Sequence, residues 1–177
     1  AMPIYDNDTQ IGVLAFQMPS DEINKYMTDN QKWKDAGFGR TGEAYLVGND
    51  FSMRSISRFL VKDRKEYIKQ LKKEKTDSLV IKNIELFDTT ILLQRVNTKP
   101  ARKALEGKTG TIQAKDYRGL QVLSAFAPLE IQGLNWAILA ENDVSESMEP
   151  LYRLLVIIGL WSVLILLVIT LTGFLII

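Results

Sequence analysis

The sequence predicts an α+β domain, an antiparallel sheet with helices at one side, followed by one transmembrane helix. Two observations predict it. Across residues 43–142, segments of strand and helix character follow in the order strand, strand, helices, strand, strand, strand. Such segregation of strands from helices is the mark of an α+β plan. All 22 Lys+Arg and all 21 Asp+Glu of the 177 residues lie at or before Arg153, and 154–177 carry no charge. The charged part, roughly 150 residues, is long enough to bury a core.

Pro3-Ile-Tyr and Ile11–Met18 are rich in β-formers on either side of the polar turn Asp6–Gln10, which predicts a strand hairpin over 3–18. Ser20 is a good N-cap, Asp21 and Glu22 suit the helix dipole, and Ile23, Tyr26, Met27, Asn30 and Trp33 recur at helical spacing. That helix is expected to end near Gly37. Two strands, Glu43–Val47 and Ser52–Arg58, flank the turn Gly48-Asn-Asp50; the second alternates between Met53, Ser55, Ser57 and Arg54, Ile56, Arg58.

Asp63-Arg-Lys-Glu66 has the form of a capping box opening a helix over 64–75. Residues 76–95 read as a helix-and-loop insertion, and 100–105 as a short helix stopped by Gly107. Three strands follow, Gly110–Tyr117, Leu120–Leu129 and Leu134–Glu141, joined by hairpin-like loops at Arg118-Gly119 and Glu130–Gly133. The middle one is apolar on both faces and is expected to be central. Val144–Arg153 reads as helix, with Pro150 as the point where it is expected to kink.

Residues 154–177 are 24 apolar or weakly polar residues, and a helix of that length spans about 36 Å, enough for a hydrocarbon core. Ser162, Thr170 and Thr172 are its only polar side chains, and a helix carries them by bonding hydroxyls back to its own carbonyls. The approach holds Glu141, Asp143, Glu146 and Glu149 against Arg153. Cytoplasmic flanks are usually basic, so residues 1–153 are expected on the outer side. The apolar run reaches the last residue, and a longer protein is expected around this piece.

Composition excludes several classes. A net charge of +1 leaves no footprint for nucleic acid. The basic cluster Lys69, Lys72, Lys73 and Lys75 is diluted by Glu66, Glu74 and Asp77 and reads as a solvated helix face. With no Cys and no His, thiolate, disulfide and imidazole chemistry are excluded, and neither a metal site nor a cofactor is expected. G-x-S-x-G, P-loop and metal-ligand patterns are absent. Asp116-Tyr-Arg118 comes nearest to a catalytic constellation, but before Gly119 it reads as turn chemistry.

Several strings carry a family resemblance: Gly39-Arg-Thr-Gly-Glu-Ala-Tyr-Leu-Val-Gly48, Met53-Arg-Ser-Ile-Ser-Arg-Phe59, Ala104-Leu-Glu-Gly-Lys-Thr-Gly110, Asp116-Tyr-Arg-Gly119, Val122–Pro128 and Gly133–Glu141. In this order they resemble a Cache domain, the PAS-like extracytoplasmic sensor unit of bacterial chemoreceptors, histidine kinases and nucleotide cyclases. The resemblance implies a PAS-like sheet of about five strands. It also implies a double-Cache division: 1–38 as the last strand hairpin of a distal unit with its connecting helix, 39–142 as the membrane-proximal unit, 143–153 as the juxtamembrane helix, and 154–177 as the second transmembrane helix. Asn49-Asp50-Phe51 departs from the Asp-Gly common at that turn in the family. The implied setting is the bacterial inner membrane, with 1–153 periplasmic or extracellular, and the chain working as a homodimer in the bilayer.

The implied function is sensory. Either this unit binds a small organic acid or amino acid, or it is a spacer and dimer contact relaying what the distal unit senses; an anchored enzyme is a third reading. In PAS-like sheets the ligand lies between the sheet and the helices. The polar and aromatic residues on the predicted strands there are Tyr45, Arg54, Arg58, Tyr117, Ser124 and Trp136. Arg54 or Arg58 could fork a ligand carboxylate. The preferred reading is that the aromatics are core and the arginines pair with acids such as Asp116.

Overall fold

The computed structural model describes residues 2–15, 19–28, 30–33 and 35–176. It is α+β with antiparallel sheets and a long apolar C-terminal helix. The N-terminal strands β1 (Met2–Asp6) and β2 (Thr9–Leu14) form a two-stranded hairpin, turned at Asn7 with φ +49°. Both strands are solvent-exposed, including Ile4, Ile11 and Val13. The predicted continuation of β2 through Phe16–Met18 lies outside the described residues.

Helix α1 (Ser20–Thr28) begins where Ser20 predicts but stops well short of Gly37. The Thr28 hydroxyl donates to the Asn24 carbonyl (2.7 Å) and accepts from Gln31 N (3.2 Å), and Asn30 N reaches back to the Lys25 carbonyl (2.9 Å). Asn30 and Gln31 take φ of +52° and +66°, which ends the helix as a left-handed C-terminal turn does.

The main sheet has the order β3-β6-β5-β4, all antiparallel: β3 (Glu43–Gly48), β4 (Gly110–Lys115), β5 (Gln121–Ile131) and β6 (Leu134–Asp143). β5 is interior, as its two apolar faces predict. The predicted strand over 52–58 does not form. Ser52 and Met53 make single bridges to Arg95 and Val47; then the Ser55 hydroxyl takes the Leu46 N–H (3.0 Å), and Ser57 caps the next helix. Side-chain acceptors here replace the ladder, so the sheet has four strands rather than five. The preceding turn takes Phe51 to φ +61°, a conformation glycine adopts without cost; Asp50 holds it by accepting from Ser52 N (3.0 Å).

Four helices cover one face: α2 (Arg58–Lys62), α3 (Arg64–Lys73), α4 (Ser78–Phe87) and α5 (Lys99–Leu105). Asp63 caps α3 through Glu66 N (3.0 Å), but the reciprocal half of the predicted box is absent, because Asp63 N already closes α2 on the Phe59 carbonyl. The core between sheet and helices holds Tyr45, Val47, Met53, Leu71, Ile84, Val96, Phe126 and Leu139.

Helix α6 (Val144–Ile176) follows β6 without a linker and continues through Pro150. It is long and apolar enough to cross a membrane, and its side chains from Leu154 to Thr172 are all exposed. Ser162, Thr170 and Thr172 bond to the carbonyls of Ile158, Leu166 and Val168 at 2.8–3.0 Å, as expected for hydroxyls carried in lipid.

Candidate functional site

Period-2 alternation places Glu43, Tyr45 and Val47 of β3 on the core face, opposite Glu141, Leu139 and Ala137 of β6. Two carboxylates, Glu43 (2% exposed) and Glu141 (4%), therefore oppose each other inside the domain, near the end from which α6 leaves. Glu43 accepts from Ser57 Oγ, Arg58 N and Tyr117 Oη, each at 2.7 Å. Glu141 accepts from Tyr45 Oη and Ser124 Oγ, each at 2.8 Å. The rings of Tyr45 and Tyr117 meet edge to face at 5.6 Å.

Burial dominates the electrostatics. It pushes the Tyr45 and Tyr117 phenols well above their ordinary value, so both stay donors. Burial also raises Glu43, against the pull of the Tyr117 and Ser57 hydroxyls and of the more distant Arg118 charge. Glu141, desolvated and held only by neutral hydroxyls, is pushed up to about 7.

Below this pair, the turn from β4 to β5 sets a buried ion cluster. Asp116 Oδ1 accepts from Arg118 N (2.8 Å) and Leu120 N (3.0 Å), and Gly119 closes the turn at φ +77°. This is the turn chemistry that Asp116-Tyr-Arg-Gly119 predicts. Arg118 Nε donates to Asp116 Oδ2 (2.6 Å), Nη2 to Asp143 Oδ1 (2.8 Å), and the guanidinium lies 3.7 Å from the Phe59 ring centroid. Asp143 is the last residue of β6, so the cluster reaches the root of α6.

The same root is gripped from the other side. Glu146, in the first turn of α6, accepts from Arg40 N and Thr41 N (both 2.8 Å) and from the Thr41 hydroxyl. Thr41 Oγ1 also bonds Asn142 Oδ1 (2.6 Å) and accepts from Asp143 N (3.2 Å), and Arg40 pairs with Glu149. Partial burial works against the charge on Glu146, but the Thr41 hydroxyl, the two backbone N–H groups and Arg40 together hold its carboxyl at about 2. A depressed carboxyl contributes stability above its unfolded value, and that contribution is lost as pH falls through the folded value. Glu146→Ala is expected to cost about 2 kcal/mol near neutral pH, the scale of charged hydrogen bonds. In thermal or urea unfolding of the full chain in micelles, the deficit should shrink as pH falls from 4.5 towards 2.

The six residues singled out from sequence fall into three places. Tyr45, Tyr117 and Ser124 meet in the buried carboxylate network. Arg54 and Trp136 sit together at the opposite end of the sheet, 5.8 Å from guanidinium to ring, with Arg54 paired to Asp50 (2.8 Å). Arg58 clamps the loop before β3, donating to the carbonyls of Gly39 (2.7 Å) and Gly42 and lying 5.1 Å from the Trp33 ring. Both arginines thus have internal partners, but Asp116 is taken by Arg118 instead. Glu43 and Glu141 were not singled out, although both keep the parity of Tyr45, Val47, Leu139 and Ala137. That period was the signal, hidden because each acid ends its predicted strand.

A recess of about 340 Å³ opens between α2, α3 and the β4–β5 turn. Phe59, Tyr67, Gln70 and Arg118 line it, with Lys62 and Glu66 at its edge. Its volume suits a small metabolite. Among the described residues, no group of three or more acids converges to hold a metal ion. No family model, curated protein or solved structure matches the chain.

Proposed function

We propose that the chain is the extracytoplasmic sensory part of a bacterial transmembrane signalling receptor. It would be a Cache-like, PAS-like unit, working as a homodimer and coupled through α6 to a kinase, cyclase or chemotaxis output. The observation that carries this reading is the junction at Asp143-Val144. An interior strand passes into the apolar helix with no linker, and Arg118 and the Arg40–Thr41 loop grip the junction from two sides. Any ligand or partner that prefers one arrangement of sheet and helices then biases α6, because the two share a rigid root. A fifth strand of the PAS-like plan would lie at the free edge of β3, where Met53 makes only a single bridge to Val47.

Of the two forms of the reading, relay is favoured over direct binding. The space between sheet and helices is filled by Tyr45, Tyr117, Glu43 and Glu141. Direct binding of an organic acid or amino acid would use the recess at Tyr67 and Arg118, or would displace part of that network.

Topology tests the receptor reading directly, since the chain has no cysteine of its own. Gln132→Cys, in the exposed β5–β6 turn, should react with a membrane-impermeant maleimide on intact cells. Labelling only after permeabilisation would place the domain on the cytoplasmic side and end the reading. A thermal-shift screen of the full chain in micelles separates the two forms. A binder at a hundred times its Kd would stabilise the domain by about 2.7 kcal/mol, whereas no shift supports relay.

A further inference from the structure

A groove of about 890 Å³ opens at the base of the domain, between α2 and α6. Its rim carries Arg40, Lys62 and Arg153, and its lower wall is Tyr152, Val156 and Ile157. Val156 and Ile157 already belong to the uncharged run that begins at Leu154. The groove therefore straddles the boundary between charged domain and apolar helix, with cations above and hydrocarbon below.

The polar groups of this groove are unbalanced. It holds three cations against the carboxylates of Glu146 and Glu149. Glu146 is occupied by Arg40 N, Thr41 N and the Thr41 hydroxyl, with Arg40 Nε a further 3.5 Å ion-pair partner. Glu149 is shared by Arg40 and Arg153, whose side chains are 68% and 75% exposed, so both guanidinium groups retain free N–H edges. Among the described residues Lys62 makes one bond, to the Arg40 carbonyl at 3.2 Å, which leaves two of its ammonium protons without a partner there. Surplus donors beside an apolar wall match an anion covalently joined to hydrocarbon.

We propose that this groove seats an anionic phospholipid of the leaflet facing the domain. Lys62 and the free edges of Arg40 and Arg153 take the phosphate diester, and an acyl chain lies along Val156 and Ile157. Tyr152, at the level where aromatic residues settle in bilayers, packs beside the headgroup. A free phosphate would use the same donors but leave the apolar wall uncovered, which is why the occupant is a lipid. The bound lipid would tie α2 to α6 below the Thr41–Glu146 latch. The inference rests on reading α6 as a membrane span.

Native mass spectrometry of the full chain, released from micelles holding equal phosphatidylglycerol and phosphatidylcholine, tests it. Phosphatidylglycerol should be retained preferentially. Lys62→Gln should weaken that retention about fivefold, the effect of one basic residue near an anionic surface. Lys69→Gln, on an exposed α3 side chain paired with Glu66, should leave it unchanged. Equal retention of the two lipids, or an unaltered preference in Lys62→Gln, overturns the proposal. So does displacement by soluble glycerol phosphate, which would identify the occupant as a free anion. Lys62 is exposed, so the variant should melt with the wild type. If the chain fails to enter vesicles of either composition, the membrane reading falls together with the lipid site. Insertion without lipid preference removes the lipid site alone.

Discussion

Replacing Arg118 with alanine is expected to cost about 3–5 kcal/mol of stability, the range found when one member of a buried ion cluster is removed. The side chains of Arg118, Asp116 and Asp143 are 7%, 1% and 14% exposed, so none can recover full hydration when a partner is lost. Burial disfavours the Arg118 charge, but Asp116, and more weakly Asp143, outweigh it and hold the guanidinium above its ordinary pKa. The variant would leave two buried carboxylates near Glu43 and Glu141 and would empty the space over the Phe59 ring. For a domain of this size the loss corresponds to a fall in Tm of about 10 °C or more. Asp116→Asn combined with Arg118→Met should recover part of it, since a matched apolar replacement leaves fewer charges unpaired. A loss below about 1 kcal/mol in the single variant would mean that the cluster is wet, as surface ion pairs are. Because Asp143 is the residue from which α6 starts, the same variant should loosen the junction on which signal relay depends.

Much of this architecture is legible in the sequence. The strands β3, β4, β5 and β6 follow from β-forming runs bounded by turns, and α6 follows from the absence of charge after Arg153. The β4–β5 turn follows from Asp116 and Gly119, whose carboxylate and positive φ have the roles their residue types suggest. What misled was polarity spaced like a strand. Ser52–Arg58 alternates correctly, yet Ser55 and Ser57 use their hydroxyls on backbone N–H groups and break the ladder. Trp33 lies at helical spacing, but the Thr28 hydroxyl and two left-handed residues end α1 before it. The candidate site was half legible for a related reason. Aromatic and basic residues on strands draw attention, whereas the acids at strand ends look solvated until the register pairs Glu43 with Glu141 inside the core. Which arginine meets which acid depended on tertiary placement: Arg118 reaches Asp143 across 25 positions of sequence.

That opposed pair of acids gives the domain an unusual dependence on pH. The Glu141 carboxyl is raised by burial from 4.5 to about 7, so between those values the folded chain holds a proton that the unfolded chain has released. Stability must then fall as pH rises from 4.5 to about 7 and level off above it. The shift corresponds to about 3 kcal/mol at 1.36 kcal/mol per pH unit. Glu43 is raised too and acts in the same direction, while Glu146, held at about 2, acts in the opposite direction and only below 4.5. The two trends place the stability maximum near pH 4.5–5, more acidic than is usual for carboxylate-rich domains. Glu141→Gln removes the charge and keeps one acceptor oxygen for either Tyr45 or Ser124, while its amide N–H donates to the oxygen of the other hydroxyl. It should gain stability over the wild type at pH 8 and lose most of the slope between pH 5 and 7. Urea unfolding of both proteins in micelles, read by tyrosine and tryptophan fluorescence at half-unit intervals, measures that slope. A wild-type profile that rises with pH over this interval would mean that both carboxylates are ionised in the fold. The hydroxyl network would then be stabilising two charges rather than accommodating a neutral Glu141.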